Sequence, residues 1–269
     1  MKKNTAVRLL GLLLVFLTVL PFYTRAEAPS KSPSKILQVD LQENINSYTW
    51  LLIQKSLLQA TEEDFDAMLI HMNTYGGEVL FADSIRSAIL DAPLPVWVFI
   101  DNNAASAGAL ISIACDSIYM RTGATIGAST VVDQTGAAAQ DKVQSYMRGI
   151  IRATAEAQGK VTRIEKGDTV EVWRRDPRIA EAMVDPDIHI EAIIDTGKVL
   201  TFTANEALKH GYCDGVAESV DAVLSQQVGL DDYEVTVFEM AAVDKLKGRL
   251  MGSALRAILI MIIVAGIWF

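Results

Sequence analysis

The sequence predicts an α/β fold, in which helices cross over between the strands of a largely parallel sheet. Strand-like and helix-like stretches alternate along residues 36–120, which is the pattern of parallel strands joined by crossover helices. Hydrophobic residues make up 51% of the 269 residues, enough for a sizeable core. The segments 73–77 and 104–114 are rich in small residues, and each of them follows a predicted strand.

The strands are predicted from short apolar or alternating runs bounded by turn residues. These runs are Ile36–Val39, Ala67–Met72, Pro95–Ile100, Ser117–Met120 and Tyr233–Phe238.

The helices are predicted from apolar residues near helical spacing and from capping patterns. The first three are Ser47–Gln59, Val79–Leu90 and Lys142–Gln158. Thr203 and Glu206 have capping-box spacing, so a further helix begins there and ends near Gly211. The small, polar stretch 130–141 predicts a loop, which we expect to be mobile.

The beginning of the chain predicts a cleaved secretory signal peptide at residues 1–28. Lys2, Lys3 and Arg8 precede an unbroken apolar run, Leu9–Leu20, and a small-x-small cleavage pattern follows at residues 26–28. A short polar linker at residues 29–35 then leads into the body. A signal peptide places that body outside the cytoplasm, on the periplasmic or extracellular side.

The other end predicts a basic juxtamembrane segment at 244–256 and the start of a transmembrane helix at 257–269. Thirteen uncharged residues are fewer than the roughly 20 that a full span needs, so we expect a longer protein to continue this helix. The basic residues before the helix favour a cytoplasmic position, which opposes the topology that the signal peptide predicts.

Charge and composition exclude several classes of function. The formal net charge is −9, whereas nucleic-acid binders usually present a basic face, so no nucleic-acid partner is expected. The three histidines are scattered and the two cysteines lack metal-ligand spacing, so no metal site is predicted. Cys115 and Cys213 stand in small or apolar surroundings typical of core thiols, although spacing alone does not exclude a disulfide.

The first candidate for chemistry is the pair Gly76-Gly77, which links a predicted strand to a predicted helix. Backbone N–H groups at such a turn, with a helix N-terminus behind them, suit the stabilisation of an oxyanion. A tight turn that needs glycine geometry explains the pair as well.

The second candidate is Ser106, which is surrounded by small residues in Ala104-Ala105-Ser106-Ala107-Gly108. It could be an N-cap on a tightly packed helix. It could also be a nucleophile on a sharp turn, with the N–H of Ala107 completing an oxyanion hole. Because both candidates follow parallel strands, they meet at one carboxyl edge of the sheet, where open α/β sheets hold their sites.

A nucleophilic serine needs a base, and the sequence offers two kinds. No histidine occurs between His71 and His189, so a histidine base, His189 or His210, requires long-range folding. Lys142 follows Ser106 at the start of a predicted helix, where the helix dipole disfavours a cation. A solvent-facing lysine is the other interpretation of this residue.

Several motifs, in order, resemble those of the NfeD-like membrane-bound serine proteases of the ClpP/crotonase superfamily, which are partners of stomatin-like proteins. The resemblance covers residues 36–240, and the family commonly has Pro-Gly-Gly where this chain has Tyr75-Gly76-Gly77. The matching stretches are Asn73-Thr74-Tyr75-Gly76-Gly77, AASAGALISIACDSIYM with its Ser106-Ala107-Gly108, Ile126-Gly127-Ala128 within GATIGAST, Lys142 at its helix start, and LTFTANEALKHGYCDGVA at 200–217.

The resemblance implies a ClpP-like serine protease domain at residues 36–243, built as a spiral of βαβ units. It implies a Ser-Lys dyad of Ser106 and Lys142, with oxyanion donors on the backbone of Gly77 and Ala107 and with Gly76 shaping the turn. It further implies that no cofactor is needed, that apolar segments of a stomatin-like membrane protein are cleaved, and that the chain forms homodimers or larger assemblies. Longer family members continue with membrane helices and an OB-fold domain.

Two other functions are compatible with the same fold. The domain could be a catalytically silent ClpP-fold scaffold of a membrane complex. It could also be a crotonase-type enzyme acting on acyl thioesters, although a secreted, acidic chain does not suit that substrate. For a protease, we expect Lys142 to lie away from Ser106 until the loop 130–141 becomes ordered around a ligand.

Overall fold

The computed structural model describes residues 32–133, 135–165, 168–250 and 253–268. The predicted signal peptide lies outside these residues. The strands are β1 (Ser34–Leu41), β2 (Ala67–Thr74), β3 (Val96–Ala105), β4 (Ser117–Met120), β5 (Thr125–Gly127), β6 (Lys160–Glu165), β7 (Asp168–Trp173), β8 (Thr201–Thr203), β9 (Gly215–Val216) and β10 (Tyr233–Val237). The helices are α1 (Ser47–Glu62), α2 (Val79–Leu90), α3 (Ala107–Ala114), α4 (Asp141–Ala157), α5 (Pro177–Ala182), α6 (Ala204–Lys209), α7 (Val220–Ala222, continued by a π-helical turn at Val223–Val228), α8 (Ala242–Leu250) and α9 (Ser253–Trp268).

The main sheet is largely parallel, as predicted. Its strand order is β10-β1-β2-β3-β4-β9. In addition, β5 pairs with β3 and with β8. All of these pairs are parallel except β5–β8. The carboxyl ends of β1, β2, β3 and β10 therefore share one edge, and the candidate residues of the site follow β2 and β3 at that edge.

Alternating side chains of the central strands form the core on both faces of the sheet. One face carries Met68, Ile70 and Met72 of β2 and packs in the larger apolar cluster, which includes side chains from α1 to α4. The other face carries Leu69 and packs with Ile36, Phe99 and Val223 in a smaller cluster. Because both faces of the sheet are covered, nearly all side chains of β2 are buried and most are apolar. This is typical of a central parallel strand.

Caps define where several helices begin. Asn46 caps α1, with its side chain accepting bonds from Tyr48 N and Thr49 N, and Thr49 returns a bond to the cap. The predicted capping box at Thr203 and Glu206 is confirmed at the start of α6.

Several features of the chain differ from the sequence prediction, and two of them concern the main sheet and a separate two-stranded ribbon. Strand β3 runs on to Ala105, beyond the predicted end at Ile100, because its last residues Asn103–Ala105 pair with β5. The ribbon β6–β7, an antiparallel pair that belongs to a separate two-stranded sheet, was not predicted at all. Val170 and Val172 alternate with exposed residues in β7, but the alternation is short and neither side chain is fully buried, so the signal in the sequence is weak.

The last two helices follow β10. α8 packs on α1 through a bond from Ser47 Oγ to Gly248 O. In α9, apolar side chains such as Met261, Ile262 and Ile263 are exposed. None of the helices in the described ranges has the length and apolarity needed to cross a bilayer.

The cysteine prediction is confirmed, because Cys115 and Cys213 are both buried free thiols. Burial raises the pKa of the Cys213 thiol to about 11 and raises that of Cys115 further. Both groups therefore remain protonated at neutral pH and act as small apolar side chains.

Candidate active site

Ser106 occupies a sharp turn between β3 and α3. Its backbone has φ 55° and ψ −116°, which is rare for a residue with a side chain. Its N–H donates to Gly127 O at 3.0 Å, while its hydroxyl makes no capping bond to the helix. The structure therefore does not support the N-cap explanation of this serine, and the geometry matches a nucleophile on a strained strand-to-helix turn.

The glycine pair lies directly beside this serine. Gly76 has φ +108°, and a Cβ on it would come within 2.6 Å of Ser106 Cβ. Gly77 has φ +154°, and a Cβ on it would come within 2.1 Å of Ile45 O. Both positions thus require glycine, for conformation and for space.

Two backbone donors at the site lack acceptors. Within the described part of the chain, neither Gly77 N nor Ala107 N has a hydrogen-bond acceptor. Ala107 is the first residue of α3, where the N–H groups have no partner within the helix. The two N–H groups and the positive end of α3 together suit an oxyanion.

A cavity of about 360 Å³ opens in front of the serine. It contains Ser106 together with both unpaired donors, and most of its other walls are apolar or small. The lining residues are Tyr75, Gly77, Val79, Ala82, Ser106, Ala107, Ala128, Ser129, Thr130, Val131, Val132 and Met147. Such a cavity is suited to an apolar side chain held next to the serine hydroxyl.

The segment 128–132 forms another wall of the cavity. Ser129 is fully buried, and its hydroxyl donates to Ser106 O at 3.2 Å. Thr130 Oγ1 donates to Val184 O at 3.0 Å, which ties the segment to the end of α5. Gln144 of α4 bonds both backbone groups of Val131, at 3.1 Å to its N and 2.6 Å to its O. α4 thereby holds one wall of the cavity.

Lys142 is not part of the cavity. It is exposed on the first turn of α4 and is absent from the residues that line the cavity. Its side chain makes no hydrogen bond or ion pair with any residue that the structure describes. Met147 of the same helix does line the cavity, five residues further on, so α4 reaches the site by another face. The structure thus brings Ser106, Gly76, Gly77 and Ala107 together, and it does not bring Lys142 into contact with them.

The histidines lie elsewhere. His71 Nδ1 is 3.2 Å from Asp40 Oδ1, His189 Nδ1 is 3.9 Å from Asp195 Oδ1, and the ring of His210 stacks on Phe202. Among the described residues that line the cavity there is no histidine, lysine, arginine, aspartate or glutamate. A base must therefore enter from outside this lining for Ser106 to act as a nucleophile.

The sequence of this chain matches the model of a known protein family. The family model described as NfeD1b, N-terminal domain, matches residues 35–238. This chain belongs to the NfeD1b N-terminal domain family.

Two curated relatives are similar to this NfeD1b-family chain. Membrane protein NfeD1b of Bacillus subtilis (strain 168) is 27% identical over 266 residues, which cover 98% of this chain and 56% of that protein. The membrane-bound protease PH1510 of Pyrococcus horikoshii is 24% identical over 211 residues, which cover 76% of this chain and 42% of that protein. The chain thus spans about half the length of the curated relatives it matches.

A solved structure supports the fold of the NfeD1b-family domain. The 1510-N membrane-bound stomatin-specific protease, as a lysine-to-alanine mutant in complex with a substrate peptide, superposes with a TM-score of 0.64. The match covers 82% of this chain and 99% of the solved one, at 22% sequence identity. At this identity the likeness establishes the mixed α/β fold alone.

Sequence reasoning missed the second wall of the NfeD1b-family site. Residues 123–130 belonged to a matching stretch, but nothing in the sequence indicated that Ser129, Thr130 and Val131 would line the same cavity as Gly77. The segment is placed by bonds to distant parts of the chain: Ala128 N donates to Leu200 O, Ser129 N to Met183 O, and Thr130 Oγ1 to Val184 O. The positive φ of Ala128, 46°, has no marker in the sequence, since alanine rarely adopts it.

Proposed function

We propose that this protein is a membrane-anchored serine endopeptidase that uses a Ser-Lys dyad. The observation that carries the proposal is the strained Ser106 beside the unpaired N–H groups of Gly77 and Ala107, in a largely apolar cavity. The relatives add support, since one is a membrane protein and the other a membrane-bound protease.

In this mechanism, Ser106 Oγ forms a bond to the peptide carbonyl carbon while neutral Lys142 accepts the hydroxyl proton. The N–H groups of Gly77 and Ala107 donate to the oxyanion of the tetrahedral intermediate. The Lys142 ammonium then donates its proton to the leaving amine as the C–N bond breaks. Water hydrolyses the acyl-serine with Lys142 again acting as base, and Gly76 keeps the turn open beside Ser106.

Lys142 must move to do this, and the loop that precedes it is where we propose the movement. Residues 130–141 connect the cavity wall to α4, and Asp133 organises their turn by accepting bonds from Thr135 and Ala137. Binding of a peptide along Thr130–Val132 would reorder this loop and bring the first turn of α4 towards Ser106. The solved relative bound its substrate peptide as a lysine-to-alanine mutant, which fits a role for a lysine in turnover.

The substrates we propose are peptides with an apolar segment, in particular one from a stomatin-like membrane protein, because a relative is specific for stomatin. Homodimers or larger assemblies belong to the same proposal. So does the domain organisation: a signal peptide at 1–28, a linker at 29–35, a protease domain at 36–243 outside the cytoplasm, a basic segment at 244–256 and the start of a membrane helix at 257–269.

One observation favours a second function, a catalytically silent scaffold in a stomatin-like membrane complex. In the described residues, no base lines the cavity, and Lys142 is exposed without contact to Ser106. A scaffold would retain the cavity as a binding site for an apolar segment and would not need the lysine to move.

The test is cleavage of an apolar peptide library, read by mass spectrometry, with the full chain in detergent. Wild type is compared with Ser106→Ala, Lys142→Ala and the control Lys209→Ala, an exposed lysine on α6. We expect wild type and the control to cleave, and both site variants to lose activity by at least about a thousandfold.

Each other outcome has a defined meaning. Cleavage by Lys142→Ala at the wild-type rate assigns the base to another residue, with His189 and His210 the first to replace. If wild type cleaves nothing, even with a stomatin-like protein added, and yet binds that protein, the scaffold replaces the protease.

A further inference from the structure

The glycine turn is supported by the segment that joins β1 to α1. Thr74 Oγ1 donates to Glu43 O at 2.8 Å. Ile45 N donates to Gly76 O at 2.8 Å, and Glu78 N donates to Ile45 O at 2.8 Å. Ile45 is 1% exposed, and its backbone closes against Gly77 so tightly that a Cβ on Gly77 has no room. Any shift of Ile45 therefore shifts the donor N–H of Gly77.

The same segment is fixed at its other end by α8. Ser47, two residues after Ile45, is buried and donates its hydroxyl to Gly248 O at 3.0 Å. Gly248 stands in the last turn of α8, where the carbonyls of a helix generally need partners from outside it. Gly248 is itself buried against Tyr48, and a Cβ on it would come within 3.1 Å of Tyr48 Cα. Lys55 and Asp244 form a second link between α1 and α8, at 3.7 Å.

Asn46 lies between Ile45 and Ser47, and its own hydrogen bonds restrict the backbone there. A displacement of Ser47 is therefore passed on to Ile45. The side chain of Asn46 accepts from Tyr48 N and Thr49 N, and its own N–H donates to Thr49 Oγ1. Ile45, Asn46 and Ser47 thus form a continuous hydrogen-bonded connection from α8 to the glycine turn. Tight packing of this kind transmits shifts between neighbouring groups.

We infer that α8 is a positioning element for the oxyanion turn, acting through Ser47 and Ile45. The effect of α8 on catalysis rests on the proposed function. The coupling between α8 and the glycine turn rests on the contacts alone. α8 precedes the helix that we assign to the membrane, so its seating on α1 would link the geometry of Gly76-Gly77 to the membrane-proximal part of the chain. Ser47 and Gly248 are positioning residues, since neither contacts the cavity.

The test adds bulk where α8 meets α1 and leaves the core intact. Gly248→Val places a branched side chain against Tyr48, while the control Leu246→Val puts the same residue on an exposed position of the same helix. Ser47→Ala removes the hydroxyl without adding bulk and serves as the second variant. All are made in the full chain.

Amide hydrogen exchange is the first readout, because it does not depend on activity. The Ile45 and Glu78 amides, which hold the turn, should exchange about tenfold faster in Gly248→Val, and faster to a lesser degree in Ser47→Ala. Amides of the central strand β3 should exchange at the wild-type rate in both variants, and the control should match wild type throughout. Unchanged exchange at Ile45 and Glu78 overturns the inference.

Peptide cleavage is the second readout. A displaced oxyanion donor weakens an interaction made in the transition state, so kcat should fall about tenfold in Gly248→Val while KM stays within about twofold. Faster exchange with an unchanged kcat also overturns the positioning role. If wild type does not cleave, the proposed function fails, and the exchange data alone decide whether α8 fixes the turn.

Discussion

At the residue scale, the backbone of Ser106 is the most informative single feature of the site. A residue with a side chain held at φ 55° and ψ −116° carries strain of the order of 1–3 kcal/mol. Such strain persists only where the surroundings impose it, and here Gly127 O and Ser129 hold the serine from either side. The hydroxyl makes no capping bond, and Ser106 lines the same cavity as the two unpaired donors.

Replacing Ser106 by glycine should therefore stabilise the protein while it abolishes cleavage. Glycine adopts this conformation without strain, so Ser106→Gly should raise the free energy of unfolding by about 1 kcal/mol, after the entropy cost of glycine is subtracted. Ser106→Ala loses the same hydroxyl and keeps the strain, so its stability should stay near that of wild type. Denaturant unfolding of the pair measures the difference, and equal stabilities would contradict the strained turn.

Gly77→Ala should damage the turn far more than an equivalent change elsewhere. Its Cβ would meet Ile45 O at 2.1 Å, whereas a Cβ on Gly123, which also has a positive φ, meets nothing within 4 Å. We expect Gly123→Ala to lose about 1 kcal/mol of stability and Gly77→Ala at least about 3 kcal/mol. A similar loss in both variants would show that the contact with Ile45 does not matter.

The sequence predicts some of these residues well because their neighbours in the chain determine them. Gly76, Gly77, Ser106 and Ala107 follow adjacent parallel strands, so strand order alone brings them together. Lys142 has no such constraint, since it follows a loop whose path depends on contacts with distant residues. Its role stays a prediction.

At the element scale, α4 controls one wall of the cavity through Gln144. Its side-chain amide bonds both the N–H and the carbonyl of Val131, so α4 fixes the backbone of a residue that lines the cavity.

Gln144→Ala should weaken substrate binding more than it slows chemistry. Without these bonds the segment Thr130–Val132 must become ordered when the substrate binds, which costs binding free energy. KM should therefore rise about fivefold to tenfold, while kcat changes by less than about threefold. Gln158→Ala is a suitable control, because that residue ends the same helix with a bond to Ala114 O, away from the cavity. Steady-state cleavage assays separate the two constants, and a fall in kcat alone would instead place Gln144 in the catalytic step.

The elements that the sequence predicts are those with a buried face or a cap. β2 and α2 carry clear apolar patterns, and α6 has its Thr203–Glu206 capping box. The short strands β5 and β8 pair with each other and each buries one large apolar side chain, Ile126 or Phe202, which is too short a pattern to mark a strand in a sequence. The ribbon β6–β7 is mostly exposed and is held by the pairing of its two strands.

At the scale of the whole molecule, one buried ion pair joins segments that are far apart in the chain. Arg175 is 1% exposed, and its guanidinium donates to Asp214 at 2.5 Å and to Gly211 O at 3.2 Å. Asp214 also accepts from Ile118 N of β4 at 2.8 Å. The ion pair thus connects Arg175, which follows the ribbon β6–β7, to strand β4 of the main sheet through Asp214.

Asp214→Ala should cost about 3–5 kcal/mol, because it leaves a buried guanidinium without its counter-charge. Arg175→Met should cost much less, since it fills similar space with an apolar chain and leaves Asp214 partly in contact with water. Denaturant unfolding gives both free energies. Equal losses would mean that packing around Arg175, and not charge, is what the site contributes.

The pairing of the last strand with the first decides where the chain leaves the sheet. β10 runs parallel to β1, so the chain enters the sheet at the amino end of β1 and leaves it after Val237, at the carboxyl ends of the strands. The cavity lies at these carboxyl ends. If α9 inserts in a bilayer, as proposed, α8 and the residues around it hold the cavity near the lipid headgroups. A cut site at that depth is then present at a high effective concentration, so its height above the membrane would select it as strongly as its sequence does.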